Sequence, residues 1–435
     1  MFGFFFSQEK KMRENASNWL ELADKVWHFR RDRLTHQESA ELRQSADELR
    51  GHLKAKVDAG KLKLSIESLE SALRRTGGAI YPKSALVENV EFFLVAAIVI
   101  LGVRTYFVQP FKIPTNSMWP TYYGMTPEVF KTTAAEPAAA SVAARAVLFG
   151  AWPHRLDAPV DGEVMIPIGG DARALVHCKT VPGHTWLVLP TELREYSIVV
   201  GDAVVKTRVP MDFDFDWAVY EAFFAENETD AYSAQKFVTQ LRAKIQAGVF
   251  VVVRIDGQDL RCIRTGKQVK AGERVLSFDE ITGDQLFVDR ISYHFMRPAV
   301  GQGFVFRTDH IISQFMQDRA GNQIEQYYIK RLVGIPGDTL NIREPVLCRN
   351  GAPIAGAEAF NGNATRTHGY SGYLAIGELE AGRTLTVPVD GYFAMGDNSS
   401  NSQDGRYWGF VPIKDAIGRP LFIYFPFTKR WGPAR

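Results

Sequence analysis

Tyr327 to Asp338 reads YYIKRLVGIPGD. Aromatic and branched residues flank an adjacent Lys330 and Arg331, and Gly334-Ile-Pro-Gly-Asp338 closes the run as a turn. This is the composition of a strand with its exit. Neighbouring side chains on a strand point to opposite faces, so Lys330 and Arg331 cannot share one. Unless the strand is an edge, one of the two faces the interior. A lysine held among Tyr and Ile loses hydration of its charged form, and its pKa falls. Bringing it from about 10.4 to neutrality takes about three units, roughly 4 kcal/mol. A surface lysine laying its stem along apolar neighbours has the same local sequence.

The same texture extends outward. Glu163–Pro167, Ile198–Lys206, Val249–Arg254, Phe304–Arg307, Tyr392–Met395 and Leu421–Phe425 are short Val/Ile/Phe/Tyr-rich runs between Gly, Pro and Asp turns. They predict an antiparallel, mainly β domain. Glu221–Ala247 is expected to be its one helical segment. Thr133–Ala146 (TAAEPAAASVAARA) reads as either a helix or a mobile linker. Only a linker could offer its small-x-small triplets as an extended strand.

The front of the chain differs. Residues 8–76 are expected to be helical, with Trp19, Leu20, Leu22, Ala23, Val26, Trp27 and Phe29 on an apolar face. Thr35-His-Gln-Glu38 is a capping box. Leu62–Arg75 runs into Gly77-Gly78, a helix stop. Then Phe92–Val103 (FFLVAAIVILGV) is twelve unbroken apolar residues, short of the roughly 20 that span a bilayer. Extending it to Val108, with Arg104 snorkelling to the headgroups, makes a span.

At 435 residues the chain holds more than one structural unit. A net charge of +2 gives no case for a nucleic-acid partner. Three cysteines, none in a C-x-x-C pair, build neither a disulfide framework nor a zinc site.

Two further segments bear on chemistry. Gln109–Thr121 (QPFKIPTNSMWPT) sets Ser117 between Pro114 and Pro120, which exclude a regular helix and stiffen the backbone on each side. Gly396–Gly409 (GDNSSNSQDGRYWG) is a turn-rich loop holding Asp397, Asp404 and Arg406. Alone, each passes as an ordinary turn.

In order and spacing the three segments resemble the boxes P-S-G-S-M-x-P-T, Y-x-K-R-x-x-G-x-P-G-D and G-D-N-x-x-x-S-x-D-S-R-x-W-G of the signal peptidase I family. Gly283–Tyr293 (GDQLFVDRISY) and, more loosely, Val300–Arg307 (VGQGFVFR) are similar to two further strands of that family. The resemblance covers about residues 90–125 and 283–430. It implies a membrane-bound serine endopeptidase in which Ser117 is the nucleophile and Lys330 its general base, a serine–lysine variant of the catalytic triad. Thr115 would supply an oxyanion hydroxyl and Ser402 would orient the lysine. Asp404 with Arg406, and Asp397 with Arg331, would be supporting ion pairs. Phe111, Ile113, Met118 and Ile329 would line shallow pockets for a signal peptide added as a strand between Phe111–Thr115 and Gln326–Ile329. Such pockets admit small-x-small motifs.

There are departures. Asn116 stands where the family has glycine, and asparagine is the next residue best suited to φ > 0. Gly405 replaces a serine and Ser399 an arginine.

The expected layout is a helical region at 1–88, a transmembrane helix at 89–109 and a peptidase core from 110–125 and 283–435. A large insertion of unknown role occupies 126–282. The resemblance further implies a single pass through the bacterial cytoplasmic membrane, with the β domain outside. Signal peptides of secreted preproteins, membrane lipid and the export machinery are the implied partners, with no nucleic acid, metal or cofactor. A lapsed enzyme that binds preproteins without cutting is the alternative; Ser117, Lys330 and Ser402, all in place, argue against it.

Overall fold

The computed structural model describes residues 8–169, 174–185, 189–227, 232–318 and 321–434. The chain divides into two compact units, residues 1–101 and 102–435.

The first unit is built from Gln8–Arg30, His36–Lys54 and Ala59–Thr76, three helices packed through Leu20, Ala23, Val26, Leu42, Leu49, Leu62, Ile66, Leu69 and Leu73. The capping box forms as the sequence suggests: Glu38 N–H donates to Thr35 Oγ1 at 3.2 Å and Thr35 N–H to Glu38 Oε2 at 2.9 Å. Asp58 caps the third helix through Gly60 and Lys61 N–H.

Ala85–Tyr106 is a 22-residue apolar helix with no buried residue. At 1.5 Å per residue it is about 33 Å long, enough to cross a hydrocarbon core. It begins four residues before the expected span and ends three before its expected end. Val108 and Gln109 are instead paired with Asp289 and Val288 in a sheet.

That sheet has eight antiparallel strands. Val108–Lys112 is followed across it by Gln285–Asp289, Ala416–Phe425, Gly303–Arg307, Tyr327–Gly334, Gly391–Met395 and Val411–Pro412, with Gly432–Pro433 pairing off the third. The fold is thus a mainly antiparallel β domain preceded by helices and one apolar helix.

The stretch 126–282 carries its own core. A six-stranded sheet includes Gly162–Ile168, Leu189–Val200, Ala203–Pro210, Phe250–Ile255 and Gln258–Val269. Val164, Ile166, Ile198, Val200, Phe213, Phe215, Tyr220 and Phe237 fill the layer between it and two helices. The run expected as one strand at Ile198–Lys206 is a hairpin, because Gly201 takes φ +58° and turns the chain. The single expected helix at Glu221–Ala247 is two, Phe215–Phe223 and Ala234–Gln246; residues 228–231 of that stretch lie outside the described residues. The Ala-rich run resolves as the helix Ala139–Phe149, ended by Gly150 in the left-handed region. Arg145 ties that helix to Glu128 at 2.6 Å and Asp279 at 2.9 Å. A helix cannot present its triplets as an extended strand.

Candidate active site

Tyr327–Gly334 is an interior strand, flanked by Gly303–Arg307 and Gly391–Met395, and is buried from Lys330 onward. Lys330 lies opposite Phe304 and shares a face with Tyr328 and Leu332, which pack among Phe304, Phe306, Tyr392 and Trp408. Only its amine finds a polar group. Lys330 Nζ donates to Ser117 Oγ at 2.5 Å. Burial lowers the amine to about 8; the charges of Asp404 and Asp397 oppose the fall and that of Arg406 adds to it.

Ser117 sits in a single 3₁₀ turn, Asn116–Met118, between the two prolines. Asn116 does not adopt positive φ. Its amide closes the loop instead: Nδ2 donates to Met125 O at 2.8 Å, and Oδ1 accepts from Gly124 N–H at 3.0 Å. Gly124 passes so close to the Thr115 backbone that any Cβ there would collide with it.

Arg331, on the opposite face, forms a bidentate pair with Asp397, Nε to Oδ1 at 2.7 Å and Nη2 to Oδ2 at 2.5 Å. Burial disfavours its charge, but Asp397 more than offsets this and the guanidinium pKa is raised. Thr121 Oγ1 donates to Asp397 Oδ2 at 2.6 Å, and Asn363 Nδ2 donates to the Asp397 carbonyl at 3.1 Å. Neither was singled out from sequence. Thr121 ends the serine segment and could have been; Asn363 has no local signal.

Asp404 and Arg406 are also paired and fully buried, Nε to Oδ1 and Nη2 to Oδ2 both at 2.8 Å. Burial raises the Asp404 carboxyl, but Arg406 more than reverses this and leaves it lowered. Both departures in this loop have a structural reason. Ser399 Oγ accepts from Arg406 Nη1 at 2.7 Å and its carbonyl from Nη2 at 2.9 Å. A Cβ on Gly405 would press on the Ala394 carbonyl at 2.8 Å.

Three expected roles are not drawn in these contacts. Ser402 is 8% exposed, yet its hydroxyl has no hydrogen-bond partner among the described residues; Lys330 gives its bond to Ser117. Thr115 is exposed and makes no capping bond. Ile113 and Met118, expected to line pockets, are 4% and 0% exposed and pack with Tyr122, Leu286, Val288, Val305 and Ile423. The turn directs them into the core, so only Phe111 and Ile329 keep open surface.

Two strand edges stay free nearby. Val108–Lys112 pairs only with Gln285–Asp289, and Tyr327–Lys330 pairs only with Gly303–Arg307, among the described residues. Their ends meet where the Phe111 and Tyr327 rings make an edge contact, centroids 5.1 Å apart. Elsewhere, Asp309, His310 and Asp415 bring ligand atoms within 4.8 Å of one another; Arg307, 2.8 Å from Asp309, already supplies a positive charge there.

Residues 278–425 match the family described as signal peptidase, peptidase S26. That stretch carries Lys330, Arg331, Asp397, Ser402, Asp404 and Arg406; Ser117 precedes it. The chain is 33% identical over 150 residues to a probable signal peptidase I-1 of Synechocystis, covering 34% of this chain and 66% of that one. It is 28% identical to signal peptidase I of Leptolyngbya laminosa, covering 34% and 62%. With signal peptidase I of Bacillus amyloliquefaciens it is 33% identical, covering 29% and 67%. The match therefore spans about two thirds of each relative's length and one third of this chain. On these matches, the chain belongs to the signal peptidase I family.

Proposed function

We propose that this chain is a membrane-anchored serine endopeptidase that removes signal peptides from exported preproteins. The observation that carries the reading is the 2.5 Å bond between the Lys330 amine and the Ser117 hydroxyl, with that amine lowered to about 8 by burial. At such a pKa a useful fraction of the lysine is neutral at working pH, as a general base requires.

Neutral Lys330 takes the Ser117 proton as Oγ attacks the scissile carbonyl. The carbonyl π pair moves onto oxygen, where Ser117 N–H and the Thr115 hydroxyl stabilise it. Collapse breaks the C–N bond, and the lysine passes its proton to the departing amine. Lys330 then deprotonates a water that releases the acyl group from Ser117. Ser402 would hold the amine on course during these transfers.

The free edges of Val108–Lys112 and Tyr327–Lys330 support binding of the signal peptide as an added strand, with Phe111 and Ile329 beside it. Two shallow half-buried contacts suit small side chains before the cut. The 22-residue helix Ala85–Tyr106 serves as a single-pass anchor in the bacterial cytoplasmic membrane. The catalytic domain then lies on the outer side, near lipid and the export machinery.

The test is cleavage of a preprotein bearing an A-x-A signal by the full chain in detergent. Wild type should cut at the expected junction, and Ser117→Ala should not. Equal cutting by both would end the assignment.

A further inference from the structure

The stretch 126–282 touches both loops that carry the site. Residues 213–217 read FDFDW, a segment that enters the helix Phe215–Phe223. Asp214 caps that helix: its Oδ1 accepts from Trp217 N–H at 3.3 Å. Asp216 turns the other way and accepts from Leu175 N–H at 2.7 Å and Val176 N–H at 3.0 Å, anchoring the helix start to its own sheet.

From that anchored start two contacts cross to the peptidase core. Asp214 Oδ2 accepts from Asn401 Nδ2 at 3.2 Å. Asn401 is the residue before Ser402. The Trp217 ring meets the Trp119 ring edge-on, centroids 5.5 Å apart and planes at 85°. Trp119 is two residues after Ser117. Trp217 is itself fixed by stacking on Tyr232, centroids 5.4 Å apart, and by a 2.6 Å bond from Nε1 to Glu221.

The two loops are also joined directly. Asn398 N–H donates to Ser117 O, and Asn398 Nδ2 to Asn116 O, each at 3.1 Å. The contacts therefore close a ring: Ser117, Asn398, Asn401, Asp214, Trp217, Trp119 and back to Ser117. The insertion thus adds a second path between two loops that are already joined directly through Asn398 and through Thr121 to Asp397.

We infer that Asp214 and Trp217 are positioning residues, through which the insertion braces the Ser117 loop against the loop carrying Ser402. The inference builds on the proposed peptidase reading. Neither residue touches the dyad, so their loss should misplace Ser117 relative to Lys330 without removing a chemical group. Small misplacements of that kind cost up to about a hundredfold in rate.

The experiment uses the full chain in detergent with the A-x-A preprotein. Trp217→Ala should lower kcat at least about tenfold with KM within about twofold, and Trp217→Phe, which keeps an aromatic edge, should recover most of it. Asn401→Asp sets two carboxylates together and should lower kcat likewise. The exchange Asp214→Asn with Asn401→Asp restores a donor–acceptor pair and should recover kcat. Hydrogen exchange at residues 116–122 and 397–402 should quicken in Trp217→Ala and return in Trp217→Phe. Unchanged kcat in folded Trp217→Ala and Asn401→Asp, or failure of both rescues, overturns the brace. If wild type cuts nothing, the peptidase reading falls instead, and the exchange measurement still decides the brace.

Discussion

Lys330 and Arg331 are neighbours on one interior strand, 4% and 3% exposed, and burial leads to opposite results for them. Arg331 meets a carboxylate and stays charged; Lys330 meets a neutral hydroxyl, and its ammonium form is penalised. Strand alternation alone separates an ion pair from a base by one residue.

The Lys330 amine, lowered to about 8, should give kcat/KM an acid limb centred near pH 8, falling about tenfold per unit below it. Stability follows with a defined sign. Between about 8 and 10.5 the unfolded lysine binds more protons than the folded one, so stability rises with pH across that window. Lys330→Met should therefore be inactive yet more stable than wild type at pH 7, by up to about 3 kcal/mol, the gap closing by pH 10. Melts at both pH values decide it. Lys330→Arg should also be inactive, since a guanidinium does not deprotonate.

Arg331→Met leaves the Asp397 carboxylate buried without its counterion. A cost of about 3–5 kcal/mol is expected in denaturant titration. Arg331→Met with Asp397→Leu should regain much of it, because the stranded charge is gone. A double variant no better than the single would mean that the pair matters through Thr121 and Gly301 rather than through charge balance.

Ser402 separates stability from chemistry. Its buried hydroxyl has no hydrogen-bond partner among the described residues, so Ser402→Ala should leave the melting temperature unchanged or slightly raised. If the hydroxyl orients Lys330 during proton transfer, kcat should still fall, at unchanged KM. Full activity in the alanine variant would remove Ser402 from the mechanism.

Thr115→Val tests the oxyanion assignment. Loss of one donor typically lowers kcat by about 10²–10³ with little change in KM, and Thr115→Ser should be nearly silent. Equal rates for valine and threonine enzymes would show that this hydroxyl does not face the oxyanion.

The strand through Lys330 and the capping box at Thr35 were legible because each depends on residues close in sequence or on one repeated period; the pairing of Arg331 with Asp397, 66 residues apart, came only from the family resemblance. The fates of Met118 and Ile113 were not. An apolar residue beside a nucleophile looks the same whether it lines a pocket or fills a core, and the turn at Asn116–Met118 chose the core. Thr133–Ala146 was ambiguous because alanine favours helices while the segment lacks side-chain caps; Arg145, reaching Glu128 and Asp279, adds the tertiary support. The bond between Asp214 and Asn401 joins residues 187 apart, and no local pattern announces it.

Asn116 offers the sharpest contrast between the two kinds of reading. By sequence it substitutes for a glycine, and the reason would be tolerance of positive φ. In the structure its φ is ordinary, and its amide makes two buried hydrogen bonds that fold the loop's far end back onto its start. The two reasons give opposite expectations for Asn116→Gly. If conformation were the requirement, glycine would be neutral or better. If the amide is the requirement, glycine leaves Met125 O and Gly124 N–H unpaired, costing about 1–3 kcal/mol and loosening Ser117. Asn116→Asp keeps the acceptor for Gly124, and its protonated O–H can replace the donor to Met125 O, so it should stay closer to wild type than the glycine variant at low pH and worsen as the carboxyl ionises beside that carbonyl. Chemical denaturation and kcat for the glycine and aspartate variants, each at two pH values, distinguish the cases; a glycine variant as stable and active as wild type would refute the amide's role.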